Sequence, residues 1–483
     1  MNRNNFLPHI ALAVILILIA AFAGQLRRWQ QADWKSRVRI FPGESKRPFL
    51  KDQEMGRSDS TPLPVPEVLV KFKPGVSEET VQAITSRFHD EVEDEIEAVP
   101  GLDAIDDLDE ANPEDVAAQY RALPEVEYAE VNSEISLIEP GDVAQSEETY
   151  FSPSDDEHQH PQDPRFAEQW ALDNHGQGGG KQGADISAIP AWSVTTGSDD
   201  VVVAVIDTGV DYTHSDLANN IWVRPVSVPP YVDRRVGIIQ DLHGYNAVAN
   251  NADPMDENGH GTHCAGIIGA EGSNNLGIAG VNWKVRIMPL KFMNAGGFGN
   301  TKDAIECINY VIDRRNKGVN VRVISASWGS TVKSRALEDI IRKAYEAGIL
   351  FVAASGNASA NTDRSPHYPS SYKLKNIISV AALDRNDQLA SFSNYGPTSV
   401  QIAAPGKEIL STWLNDEYEA HSGTSMATPM VAGVAALVLS KQPKLSVEAL
   451  RQKLLDSVDK LDSLKGKVVT GGRINAAKAV GAD

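Results

Sequence analysis

From Asp163 onward, unbroken runs of apolar residues alternate with stretches in which apolar residues recur every three or four positions. The unbroken runs predict strands buried on both faces, at Val201–Ile206, Val321–Ser327, Ile349–Ser355 and Ile377–Ala382. The periodic stretches predict amphipathic helices, at Thr301–Arg315 and Ser334–Ala347. Because buried parallel strands need helices on each side, the alternation predicts an α/β fold with a parallel sheet flanked by helices.

A shorter segment before this region follows another order. The strand-like Val68–Phe72 precedes a helical stretch, Thr80–His89. Two more strand-like pieces lead to a second helix, Pro113–Ala122, and to the strand Glu127–Val131. The order β-α-β-β-α-β predicts a small α+β ferredoxin-like unit of about 70 residues.

Two polar segments separate the predicted units. Gly43–Pro66 contains several prolines and is typical of a linker. Pro140–Gln162 carries runs of serine and acidic residues, which are typical of an exposed connector that is open to proteolysis. We therefore expect a small unit at residues 66–139 and a large unit at residues 160–483.

The net charge of −20 is concentrated in the small unit. Residues 67–139 hold 21 acidic and 4 basic side chains, a net of −17, so the rest of the 483-residue chain is nearly balanced. The sequence has no basic stripe that would follow a phosphate backbone, which argues against nucleic-acid partners. A hydrophobic share of 42% suits a globular enzyme.

The chain begins with a basic residue, Arg3, followed by the 14-residue apolar run Ile10–Ala23. This run is short for a membrane span but fits the core of a signal peptide that ends in small residues. Arg27 and Arg28 directly after the run also suit an uncleaved anchor, so residues 1–23 are either a signal peptide or a signal anchor. Both interpretations predict an exported large unit, secreted or held at the cell envelope.

Near the C-terminus, Gly423–Pro429 reads Gly-Thr-Ser-Met-Ala-Thr-Pro and continues into an apolar stretch of small residues. Ser425 therefore lies at a predicted helix N-terminus, where the helix dipole and free backbone N–H groups favour developing negative charge. This placement suits a nucleophile, but a serine or threonine that only caps a buried helix gives the same local pattern.

Motifs upstream decide between these interpretations. The first predicted strand of the large unit ends in Asp-Thr-Gly at Asp207, and His-Gly-Thr-His begins at His260. The aspartate, histidine and serine then occur in the order Asp207, His260, Ser425, one of the known orders of a catalytic triad. A fourth motif, Ala353–Asn357, reads Ala-Ala-Ser-Gly-Asn.

With these four motifs in this order, the chain resembles the subtilisin-like serine proteases. The resemblance implies that Ser425 is the nucleophile, His260 its general base and Asp207 the group that orients the imidazole. It also implies that the Asn357 carboxamide donates a hydrogen bond to the oxyanion. The expected activity is hydrolysis of peptide bonds in proteins and peptides through an acyl-enzyme intermediate.

The resemblance also assigns the walls of the substrate cleft, beside which a substrate binds as an added strand. The expected substrate-binding residues are Ser327, Trp328, Gly329, Ala354, Ser355 and Gly356. The Trp328 ring is equally compatible with the protein core. Because the neutral Ala358 follows the oxyanion asparagine, we expect a broad preference for apolar or neutral P1 residues.

Two other functions remain as alternatives. A processing protease with a narrow preference for basic P1 residues is disfavoured by the neutral Ala358. A binding scaffold without catalysis would keep the fold, and the intact triad argues against it.

Calcium is the cofactor that the resemblance implies. Its expected ligands are Asp163, Asp216, Asn274 and the backbone carbonyls of Leu276 and Ile278, a mixed set of oxygen atoms that suits Ca²⁺. In the loop Asn246–Met255, where relatives hold another ion, asparagine and alanine replace carboxylates, so we expect a weak second site or none.

The small unit resembles the inhibitory prodomain that precedes many subtilisin-like catalytic domains. We expect autoprocessing between about residues 138 and 163, with the small unit as an intramolecular inhibitor; an independent acidic module is the alternative. The sequence contains two cysteines, and we expect Cys264 to be a small buried residue, with a bridge to Cys307 left open.

Overall fold

The computed structural model describes residues 67–137 and 160–482. The signal-peptide or anchor segment 1–23, the linker Gly43–Pro66 and most of the connector Pro140–Gln162 lie outside the described residues. The described small unit forms a four-stranded sheet, and the large unit is built on a nine-stranded sheet.

The small unit has the predicted ferredoxin-like order. Its elements are β1 (Val68–Phe72), α1 (Glu78–Phe88), β2 (Asp90–Glu95), β3 (Leu102–Asp107), α2 (Pro113–Arg121) and β4 (Val126–Val131). The strands pair antiparallel in the order β2-β3-β1-β4. Ser77 caps α1, and Asn112 caps α2 ahead of a proline at the first helical position. A short strand, β5 (Glu134–Ser136), follows this unit.

The strands of the large unit begin after residue 196. They are β6 (Gly197–Asp207), β7 (Tyr231–Asp233), β8 (Gly237–Ile239), β9 (Tyr245–Asn246), β10 (Lys284–Lys291), β11 (Phe298–Asn300), β12 (Val321–Ala326), β13 (Leu350–Ala354), β14 (Ile377–Leu383), β15 (Ile402–Pro405), β16 (Ile409–Thr412), β17 (Tyr418–His421), β18 (Val458–Lys460) and β19 (Gly472–Ile474). The main sheet has the order β18-β19-β15-β14-β13-β12-β6-β10-β9. All of its pairs are parallel except β18 with β19.

Helices cover both faces of this sheet, as the sequence predicts. They are α3 (Ala188–Trp192), α4 (His260–Gly269), α5 (Thr301–Asn316), α6 (Arg335–Glu346), α7 (Thr424–Lys441), α8 (Val447–Asp456) and α9 (Ala476–Val480). The predicted helix at Ser334–Ala347 is confirmed with Ser334 as its cap, since its hydroxyl accepts a hydrogen bond from Leu337 N–H.

Helix α7 lies in the core against the central strands. Within the described part of the chain it is the one helix whose length and apolar composition would suffice to cross a membrane, and 83% of it is buried inside the protein. Small residues let it pack closely; a side chain at Gly433 would press on Val281. This burial fixes the N-terminal end of α7, where Ser425 lies.

Candidate active site

Asp207 and His260 meet at the C-terminal edge of the central sheet. Asp207 is the last residue of β6, and His260 is the first of α4. The imidazole Nδ1 of His260 lies 2.7 Å from Asp207 Oδ1. The His260 side chain is 4% exposed and the Asp207 side chain 1%. The backbone N–H of Thr208 donates to the same carboxylate oxygen at 2.8 Å. The carboxylate thus holds the ring in the tautomer that carries its proton on Nδ1.

Two glycines make this approach possible. A side chain at Gly261, in the first turn of α4, would overlap the carbonyl oxygen of Gly209 in the Asp-Thr-Gly turn. Gly209 itself has a φ of +104°, which glycine adopts without strain. Asp256 holds the start of α4 in place, because its carboxylate accepts hydrogen bonds from Thr262 N–H and hydroxyl, at 3.0 and 2.7 Å.

Ser425 is the second residue of α7. Pro429, four residues on, has no N–H to donate to the Ser425 carbonyl, so the helix leaves that oxygen open. The hydroxyl of Ser327, just after β12, fills the gap at 2.8 Å. The Ser425 hydroxyl donates in turn to the Ser327 carbonyl oxygen at 3.1 Å.

Asn357 is oriented by the residue next to Ser425. Its Oδ1 accepts hydrogen bonds from both the N–H and the hydroxyl of Thr424, each at 2.9 Å. This turns the amide nitrogen towards Gly423, where an added Cβ would lie 3.5 Å from Asn357 Nδ2 and 3.4 Å from Ser425 N. Two N–H donors therefore face one small region beside the serine, as an oxyanion requires.

The predicted cleft walls follow neighbouring strands of the sheet. Ser327–Gly329 come directly after β12, and Ala354–Gly356 end β13 and follow it. The indole of Trp328 is buried, donates its Nε1–H to the Ile206 carbonyl at 2.8 Å and packs on Phe292. Trp328 therefore contributes only its backbone to this wall.

His367 lies between the two walls, although no sequence motif pointed to it. A side chain at Gly329 would overlap its ring, and one at Gly356 would lie 3.1 Å from its Cδ2. Burial lowers the pKa of His367 to about 4, so the ring is neutral at neutral pH. Its Nδ1 has no hydrogen-bond partner among the described residues. The ring thus narrows the space between the walls.

The end of the small unit lies in the same cleft. Strand β5 pairs antiparallel with β11, and Ser136 also forms a bridge with Gly329 on the opposite side. The Leu137 N–H donates to the carbonyl oxygen of Gly297 at 3.0 Å. Ile135 is buried in the apolar cluster beneath the cleft. The chain thus adds a strand of its own where the resemblance places a substrate.

The predicted metal ligands come together away from this cleft. Asp163 accepts the N–H groups of Ser273 and Asn274, at 2.7 and 3.0 Å. Asp216 accepts the Asn274 side-chain amide at 2.8 Å and the Ile278 N–H at 3.0 Å. Burial raises the pKa of Asp163 to about 6, and burial also raises the pKa of Asp216.

The remaining histidines and cysteines near the site have structural contacts. The Nε2 of His263 lies 3.0 Å from the Glu419 carbonyl, and the Nε2 of His214 lies 3.1 Å from the Glu417 carbonyl. Cys264 and Cys307 are both buried and not bridged. The Cys264 thiol donates to the Ser425 carbonyl oxygen, with sulfur and oxygen 3.5 Å apart.

Comparison with known proteins identifies both units. Residues 198–472 match the subtilase family, and residues 66–132 match the fervidolysin N-terminal prodomain. The thermophilic serine proteinase of Bacillus sp. (strain AK1) is 40% identical over 290 residues, which cover 60% of this chain and 64% of that protein. Thermitase of Thermoactinomyces vulgaris is 38% identical over 295 residues, covering 61% and 93%.

A solved structure supports the same assignment. A protease from Pseudoalteromonas arctica PAMC 21717 is 28% identical with a TM-score of 0.55, covering 67% of this chain and 99% of that one. The chain spans 64% of the length of the Bacillus proteinase, so the whole activity of that relative is not transferred to it. The chain belongs to the subtilase family of serine peptidases, and a prodomain precedes its peptidase domain.

Proposed function

We propose that this protein is an exported serine endopeptidase that works through Asp207, His260 and Ser425. The 2.7 Å contact between His260 Nδ1 and Asp207 Oδ1, at the sheet edge that also receives the start of α7, carries this proposal. An alkyl hydroxyl is a poor nucleophile at neutral pH and needs such a base.

The catalytic cycle follows from these positions. The Ser425 hydroxyl leaves its hydrogen bond to Ser327, gives its proton to His260 Nε2 and attacks the substrate carbonyl carbon. Asp207 stabilises the imidazolium that forms. Asn357 Nδ2 and the Ser425 N–H donate to the oxyanion of the tetrahedral intermediate.

The intermediate then collapses into an acyl-enzyme. The C–N bond breaks, and His260 returns the proton to the leaving amine. A water molecule, deprotonated by His260, attacks the ester, and a second tetrahedral intermediate releases the acid and restores the Ser425 hydroxyl.

The cleft favours extended substrates with small or medium-sized, uncharged P1 side chains. The backbone at β11 and Gly329 already holds one antiparallel strand, which supports strand addition as the binding mode. His367 between the walls limits the depth of the P1 pocket, and its neutral ring offers no charge to a basic side chain. Ala358 adds no carboxylate, in line with an apolar or neutral P1 preference.

The prodomain acts as an intramolecular inhibitor, with boundaries near residues 66–139 ahead of a peptidase domain at 160–483. Besides placing β5 against β11 and Gly329, the prodomain caps two helices of the peptidase domain. The Glu130 carboxylate accepts the N–H groups of Arg335 and Ala336 at the start of α6, at 2.8 and 3.2 Å. The Asn132 side chain accepts the Lys302 N–H at the start of α5 at 2.9 Å. Maturation then cuts between residues 138 and 163.

The residues around Asp163 and Asp216 fit a calcium ion. Besides burial, the nearby Asp216 carboxylate raises the pKa of Asp163, and each carboxylate oxygen can accept a further ligand. Asn274 supplies an amide at the same place, and the backbone at Leu276 and Ile278 completes the loop. A bound Ca²⁺ would neutralise the carboxylates and stabilise the folded state.

One experiment tests the enzymatic proposal. The mature protein should hydrolyse a chromogenic peptide, and both a serine-directed phosphonate and Ser425→Ala should abolish this activity. Hydrolysis that persists in the purified variant would rule out Ser425 as the nucleophile. A peptide library profiled at P1 separates broad degradation from narrow processing, because a processing protease would cleave after one residue type.

Export is supported by the apolar segment 10–23, whatever its fate. Retention in washed membranes, compared with release into the medium, distinguishes an anchor from a cleaved signal peptide.

A further inference from the structure

A hairpin of the peptidase domain, β7 to β8 with its turn, faces the acidic strand β2 of the prodomain; we call it the arginine hairpin (Tyr231–Ile239). Its strands pair through Tyr231 with Ile239 and Asp233 with Gly237. The Asp233 carboxylate accepts the N–H groups of Arg235 and Val236, at 2.8 and 2.9 Å, which fixes the turn. The turn thereby presents Arg234 and Arg235 side by side.

Both arginines pair with carboxylates of the prodomain. Arg235 forms an ion pair with Glu93, and these side chains are only 13% and 10% exposed. Arg234 pairs with Glu95 and lies 3.9 Å from Glu97, in a more exposed position. The register of β2 against β3 shifts between Val92 and Asp94, so Glu93 is a bulged residue and the regular alternation of side chains is interrupted there.

Asp94, the residue after Glu93, meets a third cation. Lys302, in the first turn of α5, lies 3.0 Å from the Asp94 carboxylate, with exposures of 1% and 3%. The carboxylate of Glu306, one turn further along α5, is buried beside it. Glu93, Asp94 and Glu95 thus each contact a basic residue of the peptidase domain.

None of these residues lines the catalytic cleft. The strand β5 occupies the cleft, whereas the arginine hairpin holds an earlier part of the prodomain, its second strand. Backbone pairing in the cleft would accept many sequences, but the basic residues Arg234, Arg235 and Lys302 match only an acidic strand.

We propose that the arginine hairpin is a docking surface for the acidic strand of the prodomain, and that it sets how long the cleaved prodomain stays bound. The proposal rests on the inhibitory role of the prodomain given above. Removing one member of a buried ion pair leaves the other charged and unpaired, which chiefly increases the dissociation rate. The exposed Arg234 pair contributes less and is weakened by salt.

The test uses the full-length chain, which processes itself. After processing, size-exclusion chromatography measures the prodomain fragment that co-elutes with the enzyme, and the lag before peptide hydrolysis measures its release. Arg235→Glu and Glu93→Arg should each release the prodomain at least about tenfold faster. The combined variant, with the charges exchanged, should return to within about threefold of the wild type.

Three controls make the result specific. Arg286→Glu disrupts an ion pair with Asp199 inside the peptidase domain and should change neither measurement. Glu93→Arg leaves the mature enzyme unaltered, so its final activity must equal that of the wild type. If charge reversal prevents folding, Arg235→Gln provides the milder variant, which should still release faster.

The outcomes separate the two proposals. A wild type whose activity does not rise as the prodomain leaves would overturn the inhibitory role, while co-elution would still report on docking. If the processed wild type is inhibited but the single variants release the prodomain at the wild-type rate, the docking surface is wrong. If the exchanged pair fails to recover, the Arg235–Glu93 pairing is wrong.

Discussion

Ser327 and Ser425 exchange hydrogen bonds: the hydroxyl of each donates to the main-chain carbonyl oxygen of the other, at 2.8 and 3.1 Å. The pair ties the proposed wall of the substrate cleft to the start of the helix that carries the proposed nucleophile, Ser425. The exchange exists because Pro429 leaves the Ser425 carbonyl without its usual helical donor.

Ser327→Ala should therefore destabilise the protein by about 1–2 kcal/mol and lower kcat more than it raises KM, since Ser425 loses part of its positioning. Thermal unfolding and steady-state kinetics measure the two effects. Ser379→Ala is the matched control, because the buried Ser379 hydroxyl has no hydrogen-bond partner among the described residues. If both variants behave alike, the exchange does not position Ser425.

Ser425→Ala should lower turnover by about 10⁶ while leaving the fold intact. The precursor should then stay at full length, because the proposed cut is made by its own serine. Mass spectrometry of the purified variant checks this. A mature-sized product formed by that variant alone would show that another protease, or another residue, makes the cut.

His367→Gly should shift the P1 preference towards larger apolar side chains. Removing the ring opens space between Gly329 and Gly356, and each additional buried CH₂ of a substrate contributes about 0.8 kcal/mol. We expect kcat/KM for a P1 phenylalanine, relative to alanine, to rise at least about tenfold. The control is His175→Gly, because the His175 side chain is exposed. An unchanged ratio would place His367 outside the pocket.

Chelation should lower the melting temperature more than it lowers the intrinsic rate, because a structural ion binds only the folded chain. A free calcium concentration of 100 times Kd adds about 2.7 kcal/mol to the free energy of unfolding. Asp216→Asn should lower the melting temperature in calcium and remove its response to chelator. Asp253→Asn, in the loop with few carboxylates, should leave that response intact. A wild type that melts identically with and without chelator would disprove the site.

Release of the prodomain should become easier as the pH rises. Burial raises the pKa of Glu93 to about 7 from an ordinary value of 4.5; Lys302 and Arg235 lower it, whereas Asp106 and Asp94 raise it. Burial thus outweighs the attraction of Arg235 and Lys302, so Glu93 binds a proton more tightly in the complex than in the separated prodomain. The stability that this proton adds to the complex is complete below about pH 4.5 and is lost as the pH rises through 7.

Co-elution measured at pH 5.5 and pH 8 tests this dependence. The wild type should retain more prodomain at the lower pH, and Glu93→Gln should flatten the difference, because glutamine does not titrate. Equal retention by the wild type at both values would show that Glu93 does not control release.

The positions of the candidate reacting groups could be predicted from the sequence, because each lies in a short local pattern: Asp207 ends a strand and Ser425 begins a helix. The exchange between Ser327 and Ser425 was beyond such reasoning, since it joins positions 98 residues apart through one missing helical hydrogen bond. His367 was missed because an isolated histidine before Tyr-Pro has no local pattern that indicates a pocket.

The strands β1 and β4 and both helices of the prodomain were predictable from apolar spacing and caps. The strand β2 was predicted only as one of two strand-like pieces without bounds, because five of its six residues are acidic and such a composition is typical of a solvent-exposed segment. They are satisfied instead by Arg235 and Lys302, which lie more than 130 residues further along the chain. Burial of charge by a distant partner leaves no trace in the local sequence.

The pairing of β5 in the cleft has a kinetic consequence. While this strand is paired with β11 and Gly329, the cleft of a precursor is closed to other chains, so before any open enzyme has accumulated we expect the first cut to be made within the same molecule. The half-time of this first cut should not change when the precursor is diluted. Destruction of the freed prodomain needs an encounter with a second, already open enzyme, and so it accelerates with protein concentration. We therefore expect activity to appear autocatalytically, after a delay that shortens as the protein accumulates.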